Sequence, residues 1–309
     1  MYQKILVPLD GSELSETIVP YVEQLATGAD VKIVLTRVVE PLIRSAVLDI
    51  DQDMEVEFPS QKVNHVRDYL VGWKQYFRDR GLAADTLFLQ GIAVDSILQA
   101  VQMVGADLVA MSSRGLSGLA RVLYGSVSSG VLNRALCPLL LTRSPQPQAW
   151  KGINRILLPL DTSVRAEKAI AHVTAIAGHH GAEIVLLHVV RTTHQVTSFG
   201  DLQTELEEEL VSKNLFSQLG EHQKLEQIRE ARRYILKLQN QLRDQGFSAR
   251  GYLMYGRPTE SILTLADEIE TDLIAITNLG RTGLAKVLYG SVASAILNSG
   301  SYPLLIVPV

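Results

Sequence analysis

Apolar residues in this chain follow two alternating rhythms: short unbroken runs, and longer stretches spaced three and four apart. The run Lys4-Ile5-Leu6-Val7-Pro8-Leu9-Asp10 is too short for a helix and ends on a carboxylate, which predicts a buried strand. Ile18, Val22, Leu25 and Ala26 then recur at helical spacing up to Gly28 and predict one helix. The alternation continues with a strand at 31–39 and a helix at 64–80 carrying Val66, Leu70, Trp73 and Phe77 on one side. A strand at 86–89, a helix at 94–104 and a strand at 106–111 follow. A helix entered at Gly125-Ser126 and a strand at 138–142 complete the series. Residues 42–60 are mixed and acidic and predict a loop or a loose helix. Strands that alternate with helices imply a parallel sheet wound by right-handed crossovers. In such sheets ligands sit outside the carboxyl ends of the strands. Asp10, Val39 and the loop at 112–115 all follow strand ends, so they are expected to converge on one crevice.

The same plan then restarts. Arg155-Ile156-Leu157-Leu158-Pro159-Leu160-Asp161 repeats the first strand, and residues 280–299 (GRTGLAKVLYGSVASAILNS) match residues 115–134 (GLSGLARVLYGSVSSGVLNR). Asp10 and Val39 correspond to Asp161 and Val190, 151 positions on; Gly91, Gly115 and Pro138 correspond to Gly256, Gly280 and Pro303, 165 positions on. The second copy therefore carries fourteen additional residues, which extend its second crossover over about 192–245. There Leu225, Ile228, Ile235, Leu238 and Leu242 predict a long amphipathic helix. Two domains are expected, 1–143 and 155–309, joined by a linker at 144–154 stiffened by Pro145 and Pro147.

The most informative chemistry lies between the fourth strand and the helix after it. A glycine-containing loop there delivers Gly125-Ser126 to a helix N-terminus, where unpaired N–H groups and the helix dipole favour phosphate. Each element also has a plainer role. Asp10 or Ser126 can cap a helix, and Gly115 and Gly125 can serve a turn.

Composition narrows the alternatives. A net charge of −4 without a basic stripe argues against nucleic acid. No apolar run approaches membrane-spanning length, and the chain enters a strand at once, so neither a membrane partner nor a signal peptide is expected. The single Cys137 suits a reducing cytoplasm and, beside Pro138 and Leu139, predicts a buried structural thiol. His179 and His180 are expected in a solvated turn before Gly181.

These residues resemble the universal stress protein family in its tandem two-domain form. The resemblance rests on the strand ending in Asp10 (Asp161) and on Val-Val after the second strand. Its strongest carrier is a loop of the type Gly-x2-Gly-x9-Gly-Ser/Thr, present as Gly115 to Gly125-Ser126 and as Gly280 to Gly290-Ser291. The resemblance implies an α/β fold of two doubly wound, five-stranded parallel-sheet domains, Rossmann-like and of the adenine-nucleotide-binding type, related by a pseudo-twofold. An internal pseudo-dimer through the fifth strands is implied, with a homodimer as a second arrangement. It also implies ATP, with Mg as the accompanying ion, in one or both domains. Asp10 and Val39 would bracket the adenine, Ser112, Arg114 and Gly115 would lie at ribose and inner phosphates, and Gly125 and Ser126 at the outer phosphates. Pro8, Leu9, Met111, Val127 and Ser128 complete that set. The second set is Pro159, Leu160, Asp161, Val190, Ile276, Thr277, Gly280, Gly290, Ser291, Val292 and Ala293.

The motif's first glycine is replaced by Ser112 in one copy and Thr277 in the other. Arg114 and Ser128 become Leu279 and Ala293, so the first site is expected to hold phosphates more tightly. The leading expectation is a cytoplasmic stress-response sensor that binds ATP. A slow ATPase is the enzymatic alternative, since no Walker lysine or obvious carboxylate pair for a metal is in view; a ligand-free interaction scaffold is the third.

Overall fold

The computed structural model describes residues 2–40, 60–113, 126–143, 152–191, 221–278, 291–299 and 302–309. The chain divides into two units, Tyr2–Pro147 and Gln148–Val309.

The first unit runs β1 (Lys4–Pro8), α1 (Glu13–Glu16), α2 (Val19–Ala26), β2 (Lys32–Val39), α3 (Ser60–Arg78), β3 (Ala83–Gln90), α4 (Ala93–Val104), β4 (Leu108–Ser112), α5 (Ser126–Arg134) and β5 (Leu139–Thr142). Its strands lie in the order β3-β2-β1-β4-β5, all parallel. The second unit runs β6 (Arg155–Pro159), α6 (Val164–His180), β7 (Glu183–Arg191), α7 (Glu221–Asp244), β8 (Ala249–Gly256), α8 (Pro258–Glu268), β9 (Leu273–Thr277), α9 (Ser291–Ser299) and β10 (Leu304–Val307). Its order is β8-β7-β6-β9-β10, again all parallel. Each unit is therefore a doubly wound five-stranded sheet. The chain reverses direction across the sheet at β1/β4 and at β6/β9, and that switch opens a crevice at the strands' carboxyl ends.

The central strands are apolar on both faces because helices cover both. Ile5, Leu6 and Val7 are fully buried, as are Ile156, Leu157 and Leu158. One aspartate pins each first strand beside the fourth. The Asp107 carboxylate accepts from the Gln3 and Lys4 backbone N–H groups at 2.7 and 2.9 Å, and Asp272 accepts from Asn154 and Arg155 at the same distances. The long helix α7 buries Ile228, Ile235, Leu238 and Leu242 as its apolar stripe predicts.

Three expectations need correction. The single helix expected after β1 is two, α1 and α2. Pro20 at the start of α2 cannot donate a backbone hydrogen bond into the preceding turn, so the helix breaks near Thr17. Ala171 stands at the corresponding place in the second unit, and α6 runs unbroken for 17 residues. His179 and His180 are not in a turn but in the last turn of α6, their rings in edge contact at 4.7 Å. Gly181, at φ 68°, supplies the left-handed cap that ends the helix after them. Cys137 is only partly buried, although burial still pushes its thiol up to about 11 and leaves it unreactive.

Candidate functional site

The two strand-end crevices are built alike at their floor. After β1, Asp10 Oδ1 accepts from the Ser12 backbone N–H at 2.8 Å and from the Ser12 hydroxyl at 2.5 Å. After β6, Asp161 Oδ1 accepts from the Ser163 N–H at 3.1 Å and from its hydroxyl at 2.5 Å. The helix caps are the serines: Ser12 Oγ accepts from Ser15 N–H and Ser163 Oγ from Ala166 N–H, each at 3.1 Å. Each aspartate thus holds the cap rather than capping the helix itself. Ser112 and Thr277 are the last residues of β4 and β9, and neither is among the left-handed residues. The missing first glycine therefore costs no backbone strain. Ser112 Oγ instead shares hydrogen bonds with Thr17 Oγ1 at 2.8 Å and Thr142 Oγ1 at 2.9 Å, tying β4 to α1 and β5.

In the second unit the crevice is a cavity of about 800 Å³. Its lining includes Pro159, Leu160, Asp161, Val190, Ile276, Thr277, Val292 and Ala293, which are eight of the eleven residues predicted for this copy. Of the other three, Gly280 and Gly290 lie outside the described residues, and Ser291 opens α9. In the first unit Pro8, Leu9, Asp10, Val39, Met111, Ser112, Val127 and Ser128 occupy the corresponding strand ends and the first turn of α5. Arg114, Gly115 and Gly125 lie outside the described residues, and Ser126 opens α5.

Several lining residues of the cavity were not among those predicted. α7 contributes Gln227, Glu230, Ala231 and Tyr234, spaced three and four apart on one helical face. The Tyr234 hydroxyl is buried beside the Glu167 carboxylate. Burial raises its pKa, and the charge of Glu167, a hydrogen bond to it and then the charge of Asp161 raise it further. It therefore stays a neutral phenol. Its counterpart in the first unit, Tyr69, donates to Glu16 Oε1 at 2.7 Å, and Glu16 is the residue that Glu167 matches. His188, also on the wall, donates from Nδ1–H to the Leu160 carbonyl at 2.8 Å, which fixes its ring against that strand end. Thr162, also on the wall, has φ 66°. A β-branched residue in the left-handed region is strained, and such strain concentrates at functional sites.

The model of the Universal stress protein family matches this chain twice, over residues 1–143 and 152–308. The chain belongs to that family. A universal stress protein of Mycolicibacterium smegmatis is 24% identical across 98% of this chain and 96% of its own length. The universal stress protein MJ0577 of Methanocaldococcus jannaschii is 28% identical over 50% of this chain and 94% of its own, the proportion expected of a one-repeat relative. Among solved structures, a universal stress protein from Archaeoglobus fulgidus covers 99% of this chain and 98% of its own, with a TM-score of 0.66 at 19% identity. The chain is thus a tandem universal stress protein. No described helix is long and apolar enough to cross a membrane.

Proposed function

We propose that this universal stress protein is a cytoplasmic stress-response sensor that binds ATP in the strand-end cavity of its second unit. The observation that carries this reading is the cavity itself. Its volume falls in the range of small-ligand sites, at the switch point where doubly wound sheets take ligands. Its residues suit an adenine nucleotide. Leu160, Val190 and Ile276 offer apolar wall to the base, and Tyr234 offers an aromatic ring on the same wall. Val292 and Ala293, in the first turn of α9, stand where the helix's positive end favours phosphate. This reading puts the tighter site in the second unit, where the loop side chains suggest the first.

Calorimetric titration of the full chain with ATP tests it. Saturable binding is expected, weakened at least tenfold (about 1.4 kcal/mol) by Asp161→Ala and little changed by Asp10→Ala. Absence of binding, or loss on Asp10→Ala alone, overturns the assignment.

A further inference from the structure

The two crevices differ at one pair of positions that face each other across the strand end. In the second unit the pair is Thr162 and His188; in the first, by the same 151-residue correspondence, it is Gly11 and Arg37. The His188 ring is drawn back onto the Leu160 carbonyl, and the space beyond it is the cavity. Arg37 does the opposite. Its guanidinium carbon stands 4.9 Å from the centre of the Tyr69 ring, over its face. It also lies against the backbone of Gly11. A Cβ added to Gly11 would fall 2.5–2.7 Å from Nη1, Nη2 and Cζ of Arg37. The planar group therefore contacts both the chain at Gly11 and the ring of Tyr69. Tyr234 lines the open cavity of the second unit at the position matching Tyr69, and Thr162 at the one matching Gly11.

We propose that Arg37 is a built-in occupant of the first unit's crevice, and that it reserves nucleotide binding to the second unit. The guanidinium is flat and weakly hydrated, and it stacks on aromatic faces much as a purine ring does. Among the described residues no carboxylate is paired with Arg37, and the guanidinium stands over the ring of Tyr69. Gly11 is the partner that makes it possible. At φ 82° it passes the chain tightly over the guanidinium, where any side chain would collide. Thr162 and His188 form the complementary solution: a side chain at the first position, and an imidazole short enough to withdraw at the second.

This inference rests on the reading of the second-unit cavity as an ATP site, and the experiment separates the two. Equilibrium dialysis with radiolabelled ATP is run on the full chain, on Arg37→Ala, on Arg37→His, and on the reverse pair Thr162→Gly with His188→Arg. Thermal melts confirm that each is folded. One ATP per wild-type chain is expected, a second on either Arg37 variant, and none on the reverse pair. Wild type with one site and both Arg37 variants still with one overturns the role of Arg37 while leaving the cavity assignment standing. Two sites in the wild type do the same. An Arg37 variant that weakens ATP binding without adding a site makes Arg37 a ligand contact and likewise overturns the proposal. No binding by any of the four proteins brings down both readings.

Discussion

The two units share a scaffold and differ by exchanges made in concert. The aspartates that pin the first strand, Asp107 and Asp272, keep the same two bonds. The Asp–Ser pairs at the strand ends, Asp10–Ser12 and Asp161–Ser163, keep theirs. Gly91 and Gly256 both take positive φ, 133° and 145°. Elsewhere, partners have changed together. The ion pair of Lys32 with Asp85 reappears as Glu183 with Arg250, its signs exchanged. Gly130 of α5, whose missing side chain makes room for Val94 of α4, corresponds to Ala295, and Val94 to the isosteric Thr259, so this exchange is not compensated by volume. Gly11 with Arg37 corresponds to Thr162 with His188. A repeat can therefore drift at one residue when its contact compensates. At the crevice, such a compensated exchange also changes what the site can hold.

The packing exchange offers the largest effect on stability. A Cβ on Gly130 would lie 2.6 and 2.9 Å from the two methyls of Val94, a stiff β-branched neighbour that cannot swing away. Gly130→Ala is expected to cost about 1–3 kcal/mol. Adding Val94→Ala should recover part of that, so that the double variant loses less than the two single losses together. Additive losses in chemical denaturation would show that the two residues do not compete for the same space.

How legible this molecule is from its sequence depends on the kind of feature. Strand-helix alternation and the spacing of the repeat announce the doubly wound units, because buried parallel strands need continuous apolar runs and crossovers need amphipathic helices. Pro20 was equally visible, yet its effect depends on whether the chain stays helical through it, and the second copy's Ala171 is the contrast that reveals the break. The face of α7 that meets the cavity was not legible. The stripe of Ile228, Ile235 and Leu238 says which side is buried, but Gln227, Glu230 and Tyr234 reach the site through the rotation of the helix against β7 and β8. The repeat does carry a signal for one of them, since Tyr69 and Tyr234 correspond at 165 residues. Arg37 and His188 likewise mark the crevices as different, although only the course of each side chain tells which one is filled.

The exchanged ion pair gives the smallest effect and a distinctive pH signature. Hydrogen bonds from Lys32 and then Lys74 hold the Asp85 carboxyl down at about 2, below its ordinary 3.8. A depressed carboxyl stabilises the fold above its unfolded value, and that contribution is lost as pH falls through the folded one. The side chain is 43% exposed, so screening limits the gain to less than about 1 kcal/mol. Asp85→Asn should therefore lower stability slightly near neutrality, with the difference closing between about pH 4 and pH 2. A difference that persists unchanged through that range would show that the pair contributes no charge-dependent stability.

The most direct test of the account is to ask which unit an adenine ring touches. The full chain is irradiated with 8-azido-ATP, with and without excess ATP, and the labelled peptides are mapped by mass spectrometry. Label that ATP competes away is expected on the wall of the second unit, in β7 at Val190 or in α7 around Tyr234, with none on β2 or α3 of the first unit. Competed label on Val39 or Tyr69, with the second unit unmarked, would contradict the account.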